Sequence, residues 1–404
     1  MTTAPLPELP EMPTARPAGR PFAPPEELAA VRPLARIPLA DGSPGWLVTG
    51  FAAARAVTSD PRFSNRMELQ RLVLPRAGMP DRMPPAPPGM FLQTDPPEHT
   101  RYRRLLAGRF TVRRMRLLTE GVERTVAEHL DAMERAGGTA DLVAAYAQPI
   151  PALVICEILG VPTEDHDRFQ ENTRAFNDPA ATAEEMGRAM QELAGYLRDL
   201  VNAKRAAPTD DILSELTDSD LTEEELVNVA TLLLGAGLDT TANMIALGTY
   251  ALLRHPDQLA VMRDDPEAVD GGVEELMRYL SIAHTGQRAA LEDVELEGHM
   301  VKEGDIVALS MAAANRDPER FPDPDRLDLR REAPGHIGFG HGVHQCLGQQ
   351  LARVEMRAAF PALLRRFPDL RLAVPEEEVP LRSDSDIYGV DRLPVAWGPE
   401  GAGR

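Results

Sequence analysis

The longest helical period in the chain, Thr222–Arg254, is interrupted in its middle by Gly235-Ala236-Gly237-Leu238-Asp239-Thr240-Thr241. Each glycine costs about 1 kcal/mol against alanine inside a helix, and a carboxylate is out of place in an apolar stretch. A fold that keeps this sequence places something against the gap. The small residues open a groove for a small ligand and a water, and Asp239 and Thr240 furnish it with donors and acceptors. Read alone, the same residues also suit close helix packing beside a solvated patch.

Helical periodicity governs most of the remaining text: Phe51–Ser59, Glu98–Phe110, Arg113–Ala136, Ile150–Leu159, Thr163–Asn177, Ala183–Ala206, Pro256–Asp264, Ala268–Leu280 and Cys346–Phe367. Short strand patterns flank Asp41-Gly42-Ser43-Pro44-Gly45, return between Arg288 and Val307, and recur near Leu370–Val374 and Leu393–Trp397. No linker or fixed-period repeat divides the middle of the chain, so the expected architecture is mainly α with small β-sheets in a single large domain, 21–404. Residues 1–20 precede it as a proline-rich, flexible arm, because proline blocks helix and ladder pairing. Asn65–Leu92 and Arg320–Gly342 read as long irregular loops, which in compact domains are usually functional.

Acidic residues outnumber basic ones, 63 to 43, for a formal charge of −20, which repels nucleic acid and anionic lipid. No apolar run approaches the ~20 residues that span a bilayer, and the N-terminus lacks a signal-peptide layout, so a cytoplasmic protein is expected; a monomer is the expected state. The two cysteines, Cys156 and Cys346, are too few for a disulfide framework. Cys156 lies on an apolar period and reads as a small buried hydrophobe.

Cys346 is different. It lies in Gly338-Phe339-Gly340-His341-Gly342-Val343-His344-Gln345-Cys346-Leu347-Gly348, directly ahead of an amphipathic helix. Amide N–H groups and the positive end of a helix dipole favour a thiolate there, which suits metal binding. Three readings stand: a glycine-rich turn around a buried thiol, a zinc site using His341, His344 and Cys346, and an axial thiolate to haem iron.

Phe339 through Gly348 resembles the haem-binding loop of the cytochromes P450, and the resemblance extends from about Phe22 onward, closest to the soluble bacterial, actinobacterial type. It implies the P450 fold, Cys346 as axial ligand of heme b (iron protoporphyrin IX), and Phe339 and Gly348 against the cofactor. His99 and Arg103, spaced i, i+4 after Pro96-Pro97, match the family's C helix and are implied to hold a propionate, with Arg288 and His344 as the remaining partners. Ala236 and Gly237 then face the haem, and Asp239 and Thr240 become the acid-alcohol pair of the oxygen-activating helix. Glu275 and Arg278 match the family's structural Glu-x-x-Arg pair, completed by Arg326 of the later meander. Leu327 follows where the family more often has an aromatic.

The implied activity is that of an O2-dependent monooxygenase oxidising an apolar small molecule, in natural-product biosynthesis, with electrons from a ferredoxin and its reductase. Seven arginines between Arg101 and Arg116, with no acid among them, offer such a ferredoxin a docking patch. Oxidative coupling, peroxide-driven oxidation and a non-enzymatic haem-thiolate sensor are the rival functions. The substrate pocket is expected from Met67–Leu92, Phe169–Tyr196, Ile282–Gln287 and Ile387-Tyr388 by position alone.

Overall fold

A computed structural model describes residues 6–75, 82–110, 112–166, 182–283, 285–382 and 387–399, with the side chains of 112–117, 183 and 186 outside the description. The helices are α1 (Glu26–Ala30), α2 (Phe51–Ser59), α3 (Glu98–Ala107), α4 (Val112–Ala136), α5 (Pro149–Leu159), α6 (Ala183–Ala206), α7 (Ile212–Thr217), α8 (Glu223–Arg254), α9 (Pro256–Asp264), α10 (Val269–Leu280), α11 (Met311–Ala314) and α12 (Gln349–Arg366). The expected helix Thr163–Asn177 appears as a 3-10 turn at Thr163–Asp165, and its remainder from 167 lies outside the described residues.

The strands are β1 (Leu34–Pro38), β2 (Pro44–Val48), β3 (Phe63–Ser64), β4 (Thr139–Asp141), β5 (Gly286–Ala290), β6 (Val294–Leu296), β7 (His299–Val301), β8 (Ile306–Leu309), β9 (Arg371–Leu372) and β10 (Pro394–Ala396). They form a five-stranded sheet in the order β1-β2-β8-β5-β3, a three-stranded sheet β4-β10-β9 and the hairpin β6-β7. In the larger sheet only β2 and β8 run parallel. The hairpin read around Asp41–Gly45 is β1-β2, registered Leu34 to Val48.

Helix α8 organises the helical body. A capping box starts it: Glu225 N–H donates to Thr222 Oγ1 at 3.2 Å, and Thr222 N–H donates to Glu225 Oε2 at 2.8 Å. Its C-terminal half, Thr241 to Leu252, is buried without a break. At Gly248 it crosses α12 so closely that a Cβ would stand 2.6 Å from Phe360 Cζ. By length and composition α8 could cross a membrane, yet 61% of its most apolar window is buried inside the protein, as befits a core helix.

Two expectations are corrected. The arm at 1–20 is docked from Leu6 onward: Leu9 N–H donates to Arg36 O at 3.0 Å, Arg36 N–H donates to Pro7 O at 2.9 Å, and Met12 is buried. Proline removes ladder donors but leaves carbonyls and apolar rings, which suffice on a sheet edge. Arg16 then stacks over Tyr388 at 4.0 Å.

The second correction concerns the meander. Glu275 and Arg278 are fully buried and doubly bonded, Nε to Oε2 at 2.7 Å and NH2 to Oε1 at 2.9 Å. Their third partner is Arg331, whose Nε lies 3.2 Å from Glu275 Oε1. Arg326 is exposed and enters the network only through its carbonyl, which accepts from Arg278 and Arg331. The turn at Asp323, with φ at 47°, directs the Arg326 side chain to solvent and brings Arg331 inward five residues later.

Candidate active site

The cysteine loop has its backbone fixed before its chemistry. Gly340 and Gly342 have φ of 70° and 76°, and a Cβ on Gly342 would stand 2.1 Å from Thr58 O. Gly338 is also close-packed, its absent Cβ 2.7 Å from Met277 O. The loop closes by Cys346 N–H donating to Phe339 O at 2.8 Å. Helix α12 begins at Gln349, three residues later than the sequence suggests, so Cys346 precedes it with the N–H groups of Gly348 and Gln349 bonding its sulfur.

Burial pushes the Cys346 thiol above its ordinary value, against the pull of those amides and of Arg103 and Arg353. Desolvation here outweighs the helix-terminal effect of the protein alone, and a cation bound at the sulfur would supply the attraction that favours the thiolate. Cys156 is buried in α5 with its thiol pushed up by desolvation and no opposing group, in keeping with an inert core side chain.

His99 (α3), Arg103 (α3), Arg288 (β5) and His344 meet on one side of this loop. The two imidazoles face each other with ring centroids 4.3 Å apart, and Nδ1 of both is buried without a hydrogen-bond partner. Burial first, then the charges of His99, Arg288 and Arg103, depress His344 to about 3. Burial also lowers Arg288, to about 10, against the pull of Asp95. That carboxylate already accepts from Ser64 Oγ at 2.5 Å and from Asn65 N–H at 2.8 Å. Four basic side chains gathered in a desolvated site, two with orphaned nitrogens, have the chemistry of a cradle for an anionic group.

Across the body, α8 carries the interrupted segment. Gly235 and Ala236 are exposed although they lie mid-helix, and a Cβ on Gly235 would meet nothing within 4 Å. Gly237 packs toward Ile155, its absent Cβ 3.6 Å from Cδ1. Thr240 Oγ1 donates to Ala236 O at 2.7 Å, which commits its hydrogen and leaves oxygen lone pairs to accept. Asp239 Oδ1 accepts from Asn243 Nδ2 at 3.0 Å and from Arg382 NH1 at 2.7 Å.

The zinc reading does not survive this geometry. His344 turns to His99, His341 Nε2 lies 3.3 Å from Arg55 Nε, and among the described residues no cluster of three His, Cys, Asp or Glu could hold an ion. The arginine patch also shrinks: Arg101 pairs with Glu225 and Asp220, Arg109 pairs with Glu215 at 3.0 Å, and Arg103 turns inward to Gln345 O. Arg104 remains exposed, and the side chains of Arg113, Arg114 and Arg116 lie outside the described residues. So do parts of the expected pocket wall, at 76–81, 167–181 and 284.

Sequence reasoning missed a cluster beside the loop. Arg353 stacks over Phe339 at 4.4 Å and grips Glu274 with two of its three nitrogens, one at 2.8 Å, while His336 Nε2 reaches the same carboxylate at 3.0 Å. Burial would raise Glu274, but Arg353 and His336 hold it down at about 2. The i, i+4 spacing of Gln349 and Arg353 was a local signal; the pairing across to α10 was not.

A fold with one thiolate-competent loop, an anion cradle and a notched core helix defines a haem-thiolate protein. The chain belongs to the cytochrome P450 family: the family model described as Cytochrome P450 matches residues 158–390. Cytochrome P450 105C1 from a Streptomyces species is 52% identical, over 93% of this chain and 96% of its own length. Pentalenic acid synthase of Streptomyces avermitilis is 43% identical, over 95% and 98%. The crystal structure of GfsF superposes with a TM-score of 0.89 at 41% identity, covering 96% of this chain and all of that one. The architecture is therefore the P450 fold, and the chain is a P450 monooxygenase homologue whose family cofactor is haem iron.

Proposed function

We propose that this enzyme binds heme b through Cys346 and uses O2 and two electrons from a ferredoxin and its reductase to oxidise an apolar small molecule in natural-product biosynthesis. The observation that carries the reading is the convergence of His99, Arg103, Arg288 and His344, with two unpartnered buried nitrogens, beside the Cys346 loop. These groups would hold two propionates, and Phe339, Gly348, Ala236 and Gly237 would contact the cofactor.

When bound, the thiolate-ligated haem supplies reductive activation of O2 and transfer of oxygen to substrate. The protein supplies orientation, exclusion of water and protons. Thr240 Oγ1, its hydrogen committed to Ala236 O, accepts a hydrogen bond at the notch, and Asp239 passes a proton from its carboxyl and regains one from solvent. The names of relatives such as pentalenic acid synthase favour natural-product substrates. The exposed Arg104, followed in sequence by Arg113, Arg114 and Arg116, favours an acidic ferredoxin as partner, in a cytoplasmic monomer.

The test is turnover of the haem-loaded protein with ferredoxin, reductase and NADPH under isotopically labelled O2, across a panel of apolar natural products. Label in the product, and a Thr240→Ala variant that diverts electrons to peroxide, support the reading. Product made with hydrogen peroxide alone, or coupling without label, favours the peroxide-driven or coupling reaction. No product under either regime leaves the sensor.

A further inference from the structure

Arg382 reaches the proton-handling acid from a distant part of the chain. It lies in the C-terminal segment at the base of a hairpin, where Leu381 bridges Val390 and Arg382 N–H donates to Gly389 O at 2.9 Å. That hairpin is pressed onto α8: a Cβ on Gly389 would fall 1.6 Å from Asn243 Oδ1, so no other residue permits this approach. The same Asn243 donates to Asp239 Oδ1. Arg382 NH1 approaches that oxygen from the hairpin side at 2.7 Å, and its Nε stands 3.7 Å from Asp391 Oδ1.

Both side-chain donors thus take Oδ1, and among the described residues Oδ2 has none. A carboxylate held by two donors on one oxygen cannot rotate freely about its Cβ–Cγ bond, and its other oxygen is left to carry a proton. The three charged groups are half-buried, with side-chain exposures of 20% for Arg382, 26% for Asp239 and 33% for Asp391. In that environment a charge-assisted pair is stronger than on an open surface, yet still reached by water. Asp391 gives Arg382 an alternative partner a short shift away, so the grip on Asp239 can be loosened without leaving the guanidinium unpaired.

We propose that Arg382 is a positioning residue for the proton relay: with Asn243 it sets the orientation of the Asp239 carboxylate, and Asp391 is the seat to which it transfers when Asp239 turns. This rests on the reading of Asp239 as the proton carrier. No bond is made or broken by Arg382 itself, and the proton that Asp239 gives up is replaced from water.

The test uses the haem-loaded, dithionite-reduced protein with carbon monoxide as probe, since the C–O stretching frequency reports polarity on the distal side and needs no substrate. Asp239→Asn is expected to shift the band, Arg382→Gln to shift it in the same direction, and Arg382→Lys to return it toward the native position. Thermal unfolding of the same samples separates positioning from stapling. A band unmoved in Arg382→Gln but moved in Asp239→Asn overturns this inference alone and reduces Arg382 to a staple for the hairpin. A band unmoved in Asp239→Asn overturns the relay and this inference together. Should Arg382→Gln fail to load haem, the lysine variant decides: a native band supports positioning by charge, and a band displaced as in Asp239→Asn contradicts it.

Discussion

The Nε of Arg331 stands 3.2 Å from Oε1 of Glu275, while Arg326 meets the same cluster through its carbonyl alone. Removing a partner from a buried ion pair leaves an uncompensated charge. Arg278→Ala is therefore expected to cost about 3–5 kcal/mol. Arg331→Ala is expected to cost about 1–3 kcal/mol, because Glu275 keeps its other donors. Arg326→Ala is expected to stay within about 0.5 kcal/mol, as for any exposed substitution. Urea unfolding of the three variants checks the order, and a larger loss at Arg326 than at Arg331 contradicts the network.

The cofactor cradle makes a prediction that differs between two states. Arg288 is desolvated by burial, and in the haem-free protein Arg288→Met removes that penalty together with the attraction of Asp95 and the bond to Asn65 Oδ1, so the melting temperature changes little. In the loaded protein the same change deletes a charge-assisted bond of about 1.5–3 kcal/mol, and haem transfer to an apomyoglobin acceptor speeds by about 10- to 100-fold. Equal transfer rates would remove Arg288 from the cradle.

Acid stability is expected to depend on Glu274. Its carboxyl falls from 4.5 to about 2 on folding, so the stabilisation is complete above pH 4.5 and is lost as pH drops toward 2. The full effect is on the order of 3 kcal/mol. Between pH 6 and pH 3 the native protein should lose on the order of 2 kcal/mol more than Glu274→Gln. Unfolding free energies at the two pH values test this, and parallel losses would contradict it.

Two glycines of α8 should respond oppositely to alanine. At Gly248 the new Cβ would lie 2.6 Å from Phe360 Cζ, and overpacking of about 1–3 kcal/mol exceeds the helix-propensity gain of about 1 kcal/mol. At Gly235 the Cβ enters open space, so the gain stands and the haem-free protein becomes about 1 kcal/mol more stable. Denaturant midpoints of Gly235→Ala and Gly248→Ala provide the measurement. Stabilisation at Gly248 would contradict the close crossing of α8 and α12.

What the sequence conveyed depended on range. Helices such as α2 and α6, and the hairpin β1-β2, are written in local period and turn residues. Cys346, the notch of α8 and the His99–Arg103 pair were legible because each lies within a short motif. Arg331 was not, since Arg326 and Arg331 look alike until the turn at Asp323 decides which faces Glu275. Arg382 carried no local signal; its role exists only once the C-terminal hairpin is pressed onto α8, 143 residues along the chain from Asp239. The docking of the arm and the internal pairing of Arg101 and Arg109 are likewise tertiary facts that composition does not contain.

The central claim is that Cys346 gives a thiolate to haem iron. The most direct measurement is the absorption spectrum of the reduced, carbon monoxide-treated protein beside that of Cys346→Ala. The account predicts the red-shifted band of a thiolate-ligated haem in the native protein and its loss in the variant. A native protein without that band, or a variant that keeps it, contradicts the account.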